Sequence, residues 1–173
     1  PGFHETAFGL AVDVGSTTIA AHLCDLVSGE VVASAGRMNP QIRFGEDLMS
    51  RVSYSMMNPG GAAQMTAAVR EALSELAAEV AAAADIEKES ILEVTLVGNP
   101  IMHHLVLGID PVELGGAPFA LAIDRAVTVT AAELGIALHP NARVYALPCI
   151  AGHVGADTAG VILAERPDLT EEM

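Results

Sequence analysis

"LAVDVGSTTIAAHLCDL", Leu10 to Leu26, sets two aliphatic runs on either side of a polar knot, Asp13-Val14-Gly15-Ser16-Thr17-Thr18. Glycine and small hydroxyl residues between two runs of Val, Ile, Leu and Ala are a hairpin signal, so the stretch reads as two antiparallel strands joined at Gly15-Ser16. A second turn signal, "VSGE" (Val27 to Glu30), leads into "EVVASAGRM". The chain therefore opens with three sequential antiparallel strands. The knot itself admits two readings. One is a plain hairpin tip with polar residues on it. The other is a phosphate cradle: Gly15 lets backbone N–H groups approach a ligand, and Ser16, Thr17 and Thr18 offer amides and hydroxyls to phosphate oxygens. In that reading Asp13, at the mouth of the first strand, faces the Mg²⁺ of a nucleoside triphosphate through water.

Further along, the pattern changes period. Asn39-Pro40 is a break, and from Gly45 the apolar positions Leu48, Met49, Val52 and Met56 fall at helical spacing. "NPGG" (Asn58 to Gly61) interrupts. The next segment, Ala62 to Asp85, is the clearest helix: Met65, Val69, Leu73, Leu76 and Val80 form one stripe, with Arg70, Glu71, Glu75 and Glu79 off it. Its alanines supply helix propensity and close packing. "ILEVTLVG" is a strand, and "NPIMHHLVLG" a short helix with Asn99 as N-cap, Pro100 in the first turn and Gly108 at the stop. Residues 109–141 read as an irregular insertion, with "AVTVT" a candidate edge strand and "TAAELGI" a helical turn or two. "ARVYALP" is the last strand, and Gly155, Ala156, Ala159 and Gly160 give a closing helix with a small-residue face. The order β-β-β-α-β-α-β-α predicts an α/β fold. Its mixed five-stranded sheet has three antiparallel strands, then two parallel ones reached through helical crossovers.

Composition narrows the function classes. Of the 173 residues, 51% are hydrophobic and 17% charged, which excludes a disordered chain. With 3% aromatics and no Trp, the core is built of Ala, Val, Leu, Ile and Met. A net charge of −14 speaks against nucleic acid or an anionic membrane as partner. Cys24 and Cys149 are far apart with no metal-type spacing, which fits reduced, buried thiols in a cytoplasmic protein. No apolar run reaches the ~18 residues of a spanning helix, and the N-terminus has no signal-peptide pattern. Residues 1–7 read as a linker remnant and 166–173 as a charged connector, as though cut from a larger protein.

A hairpin turn of this kind between strands one and two resembles the first phosphate loop of the actin, sugar kinase and Hsp70 ATPase superfamily, whose subdomains are ribonuclease H-like. The longer strings narrow the resemblance. Asn39-Pro40-Gln41 with Phe44-Gly45-Glu46-Asp47, Gly98-Asn99-Pro100-Ile101-Met102-His103-His104, and Gly152-His153-Val154-Gly155-Ala156-Asp157 are similar to the ATPase-type region of reductive activators of corrinoid proteins. That resemblance covers Phe8 to Glu165. It implies that the chain is the first ATPase-like subdomain (residues 8–165) of an ATP-dependent activator that restores Co(I) in a corrinoid protein of a methyltransferase system. The electron would come from a 2Fe-2S cluster in an N-terminal ferredoxin domain, and a second ATPase-like subdomain would carry the opposing phosphate loop. This segment lacks the four cluster cysteines, so alone it is expected neither to carry the electron nor to hydrolyse ATP efficiently. The implied partners are the corrinoid protein, those two domains and a second copy in a homodimer.

The resemblance also implies candidate residues: Asp13 for Mg²⁺, Gly15, Ser16, Thr17 and Thr18 for the nucleotide, and His153 and Asp157 bordering the catalytic cleft and hinge. The i, i+4 spacing of the last two puts them on one face if both are helical, where a cap or hinge role is the alternative. His103 and His104 are ~100° apart on a helix and cannot easily share a metal, which points to structural roles, with a corrinoid or partner contact as the alternative. Glu46 and Asp47 suit a helix start, and Met56-Met57 reads as core. Three other functions compete. An activator of 2-hydroxyacyl-CoA dehydratases begins with a similar turn but needs its own cluster cysteines. A non-catalytic dimerisation or interaction module would keep the fold and lose the nucleotide. A sugar kinase would call for sugar-binding motifs that the longer strings do not supply.

Overall fold

The computed structural model describes residues 6–166; most of the linker remnant and connector expected at 1–7 and 166–173 lies outside them. The first three runs form β1 (Phe8–Val14), β2 (Thr18–Asp25) and β3 (Val31–Met38), paired antiparallel in sequence. The connection from β3 is a 3-10 turn over Pro40–Phe44, and α1 (Leu48–Met57) starts only after it, with Asp47 as N-cap. The helix α2 (Gly61–Ala83) buries the expected stripe of Met65, Val69, Leu73, Leu76 and Val80. Next come β4 (Ile91–Gly98) and α3 (Pro100–Leu107), the latter capped by the Asn99 side chain and stopped by Gly108 in the left-handed conformation.

The sheet has six strands, not five. Its order is β3-β2-β1-β4-β6-β5, with β4 parallel to β1 and β6 (Arg143–Ala146) parallel to β4. The extra edge strand is β5 (Val127–Thr130), antiparallel to β6, within the stretch expected to be irregular. It is four residues long and its last one, Thr130, is already the N-cap of the single-turn helix α4 (Ala131–Leu134). The "AVTVT" candidate is this strand; so short a run, passing straight into a capping box, falls outside the five-strand order.

Alternation decides what the sheet covers. Leu10, Val12, Val14, Ile19, Ala21, Leu23, Val94, Leu96, Val144 and Ala146 all enter one core beneath α2 and α3. The intervening Ala11, Asp13, His22, Thr95 and Tyr145 are exposed on the opposite face. There the closing helix α5 (Ala156–Glu165) lies against β4, with Gly160 near Val97. Burial of the apolar face is the main stabilising term. Two expectations fail: Met56 and Met57 are 66% and 74% exposed rather than core, and Cys24 is only half-buried. Among the described residues no helix is long and apolar enough to cross a membrane.

Candidate functional site

The parallel strands β1, β4 and β6 end on the same edge of the sheet, where ligands of open α/β sheets characteristically sit. β1 runs there into the Gly15 turn, β4 into Asn99 and α3, and β6 through Leu147–Gly155 into α5. The turn is held from behind. Gly15 O accepts from Asn39 Nδ2 (2.8 Å), Ser16 O from Arg51 Nη2 (2.6 Å) and Thr17 O from the Asn39 N–H (2.7 Å). In a planar trans peptide the N–H points opposite the carbonyl, so the amides of Ser16, Thr17 and Thr18 are turned away from this clamp. Those of Ser16 and Thr17 have no acceptor among the described residues. Thr17 and Thr18 are exposed. A Cβ on Gly15 would lie 2.5 Å from Thr18 O, which reserves that position for glycine.

Each clamp residue is fixed in turn. Asn39 is fully buried and caps the 3-10 turn, its Oδ1 accepting from Gln41 N (2.9 Å), which leaves its Nδ2 to donate to Gly15. Gln41 Nε2 donates to Met65 O on α2 (3.0 Å). Arg51, also fully buried, donates from Nε to Gly45 O (2.9 Å). The Met102 sulfur of α3 accepts from both Asn39 Nδ2 (3.5 Å) and Arg51 Nη1 (3.4 Å). Three segments, at Asn39, Arg51 and Met102, thus meet behind the Asp13-Thr18 knot. Burial lowers the Arg51 pKa, and the charge of Asp47 partly offsets that.

Asp13 ends β1 on the open face. Partial burial raises its pKa, and the negative charge of Asp157 raises it further, so the two carboxylates lie within electrostatic reach of each other. Asp157 sits in the first turn of α5 and accepts from the Thr158 N–H (2.8 Å). His153 is placed differently from expectation. It belongs to the turn bridged by Ala151 and Val154, before the helix begins, and its exposed ring packs against Phe119 at a tilt of 57°, with centroids 4.2 Å apart. The i, i+4 helical face shared with Asp157 therefore does not form, and among the described residues no hydrogen bond joins the two.

The histidine pair is structural. His104 is buried; Nδ1 is 2.7 Å from Pro100 O and Nε2 is 3.1 Å from the donating Ala122 N–H, which fits a neutral ring protonated at Nδ1. The His103 ring is 5% exposed and neither nitrogen has a hydrogen bond of good geometry. Burial first, then the neighbouring His104, push its pKa down to about 4, against a small opposing pull from the Leu147 backbone. Among the described residues no three His, Cys, Asp or Glu side chains are placed to hold a metal.

Sequence reasoning missed Asn39, Gln41, Arg51 and Met102 as supports of the turn. One signal was readable. Leu48, Arg51 and Val52 fall at i, i+3 and i+4, so the arginine occupies the apolar face of α1, where a charge needs a reason.

Two known proteins are similar to this chain over nearly its whole length. The chain is 33% identical over 156 residues to the corrinoid activation enzyme RamQ of Eubacterium limosum, covering 90% of this chain and 26% of that protein. It superposes on the solved structure of a reductive activator for corrinoid, iron-sulfur protein with a TM-score of 0.94 at 35% identity, covering 99% of this chain and 27% of that one. The chain thus spans about a quarter of the length of these relatives. The family model for the RACo middle region matches residues 8–169, and the chain belongs to that family.

Proposed function

We propose that this chain is the nucleotide-gripping part of a reductive activator of corrinoid proteins, with the β1–β2 turn as its first phosphate loop. The observation that carries the reading is the pair of outward, unpartnered amides of Ser16 and Thr17, held by carbonyls tied back to Asn39 and Arg51. Adjacent main-chain N–H groups without acceptors form an anion-binding nest. The hydroxyls of Ser16, Thr17 and Thr18 flank it. Asp13, with Asp157 nearby, gives a carboxylate donor set suited to Mg²⁺ bound largely through water. ATP with Mg²⁺ is the ligand that fits both halves of the site, as in the actin-like, ribonuclease H-like ATPase subdomains, and the opposing phosphate loop belongs to a second subdomain.

The relatives, a corrinoid activation enzyme and a reductive activator for corrinoid, iron-sulfur protein, support a corrinoid protein as the substrate. A 2Fe-2S cluster does not fit here, since such a cluster takes four ligands and Cys24 and Cys149 are the only cysteines, lying on β2 and after β6. In the proposed reading, following the resemblance, the electron comes from a ferredoxin domain elsewhere in the complete cytoplasmic protein. The role of this chain is to bind and orient nucleotide, serving a methyltransferase system through the corrinoid protein and working as part of a homodimer. The test is Asp13→Ala in the complete protein, which should abolish ATP-stimulated corrinoid reduction while circular dichroism stays native. Undiminished stimulation would overturn the assignment.

A further inference from the structure

Arg51 is a buried cation without a buried anion. Its side chain is fully enclosed, and its hydrogen bonds go to the Gly45 carbonyl, the Ser16 carbonyl and the Met102 thioether, all of them neutral. The one ion pair among the described residues, Arg37–Glu75, lies elsewhere. Asp47, the acidic neighbour that acts on Arg51, spends its carboxylate at the solvent surface on the Ser50 N–H and hydroxyl. An enclosed charge with no ionic partner is strongly unfavourable and is ordinarily paired or replaced. A purely mechanical clamp for the Ser16 carbonyl would need a donor, not a permanent charge.

The position of the guanidinium supplies the reason. The Ser16–Thr17 peptide lies between Arg51 and the open side of the turn, with its oxygen on Nη2 and its N–H directed outward. A cation on the oxygen side polarises that peptide so that the outward amide becomes a stronger donor. We infer that the counter-ion of Arg51 is the bound anion itself: acting through the Ser16–Thr17 peptide, Arg51 sets the affinity of the turn for a phosphoryl group, while Asn39 holds the flanking peptides in register. The inference rests on the phosphate reading of the turn given above. Neither side chain touches the ligand; both are positioning residues.

Charge and geometry separate in the complete protein, with ATP and Mg²⁺ as the calorimetric probe. Arg51→Lys keeps the charge and loses the planar fork, whereas Arg51→Met loses both at similar length. Loss of one charge-assisted interaction corresponds to roughly tenfold or more in affinity, so Arg51→Met should bind ATP at least about tenfold more weakly than Arg51→Lys. Equal losses in the two variants would mean that only the fork matters, and would overturn the charge argument. Met102→Glu gives a second, independent reading that holds even where Arg51→Met fails to fold. The Met102 sulfur already accepts from Arg51 Nη1 and Asn39 Nδ2, so a glutamate of similar length there supplies both donors with the carboxylate that Arg51 lacks and leaves the Asn39 bonds to Gly15 and Gln41 in place. The unliganded variant should melt higher than wild type and bind ATP more weakly. A lower melting temperature with wild-type affinity would reject the proposal. Gly15→Ala, which distorts the turn itself, isolates the underlying reading. If a folded Gly15→Ala protein binds ATP as wild type does, the turn is no phosphate loop, whatever the clamp variants do.

Discussion

Gly155 stands directly on the end of β4: a Cβ at this position would lie 2.5 Å from Gly98 O and 2.6 Å from Asn99 Cα. Two of the distinctive strings, at Gly98–His104 and Gly152–Asp157, are therefore one packed unit. The contact sets where α5 begins and how near Asp157 comes to Asp13. Gly155 has φ −86° and ψ −176°, which any residue can adopt, so the requirement is for space and not for backbone freedom. Two of its three nearest atoms are backbone and cannot yield cheaply; the third, 2.7 Å away, is Asp157 Oδ1. Gly155→Ala should cost about 1–3 kcal/mol through overpacking. Urea denaturation measures it, and a change within error of zero would mean that α5 can shift freely on β4.

Asp13 should trade stability for function. Its unfolded carboxyl ionises around 3.8, and in the folded chain burial and Asp157 raise that value. A carboxyl with a raised folded pKa favours folding while protonated. That contribution disappears as pH rises from 3.8 through the folded pKa, so at neutral pH the ionised group is a burden. Asp13→Asn should stabilise the nucleotide-free protein at pH 7, by less than about 1 kcal/mol because solvent screens the site. The gain should vanish near pH 3. A loss of stability at pH 7 would show that Asp13 is held by attractive contacts instead.

The strands and the long helix were legible because their periodicity is long and clean. The alternation of Leu10, Val12 and Val14 and the stripe from Met65 to Val80 leave no other face to bury. Asp47 and Asn99 were readable as caps because capping is local, reaching two or three residues. The clamp was not readable, because Asn39 and Arg51 reach across 24 and 35 positions to carbonyls that have no side-chain signature. The Asp13 turn could be recognised from Gly15 and its hydroxyl residues, but which way its amides face is decided only by those distant donors. His153 misled for a related reason. Its spacing from Asp157 suits a helix, yet His153 and Val154, flanked by Gly152 and Gly155, lie in a bridged turn in which the ring finds Phe119.

Asn99 joins the strand end to α3 with two bonds: its Oδ1 accepts from Met102 N (3.0 Å) and its carbonyl from His103 N (2.9 Å). Only the first depends on the side chain. Asn99→Ala should cost about 1 kcal/mol, the usual worth of an N-cap. Because Met102 is the sulfur shared by Asn39 and Arg51, fraying of this end should also loosen the turn. Exchange of the Asn39 N–H, which is bonded to Thr17 O, should accelerate in the variant by more than at β3. Equal acceleration everywhere would indicate a global loss of stability with no link from cap to turn.

His103 should make the fold acid-sensitive in a defined window. The ring packs among Val14, Leu96, Val97 and Ala146 and is neutral, with its pKa lowered from 6.5 to about 4. The unfolded chain takes up a proton below 6.5 while the folded one does not until about 4, so stability falls as pH drops through that interval. At 1.36 kcal/mol per pKa unit the loss reaches up to about 3 kcal/mol. His104, lowered in the same direction, adds to it. Asp13 works with the opposite sign, but weakly, because solvent screens the site. His103→Leu, apolar and of similar size, should flatten most of the decline and leave a residual slope from His104. Denaturant midpoints at pH 7.5 and pH 4.5 decide the matter. The variant should lose clearly less between the two than wild type, and parallel losses would place the acid-labile group elsewhere.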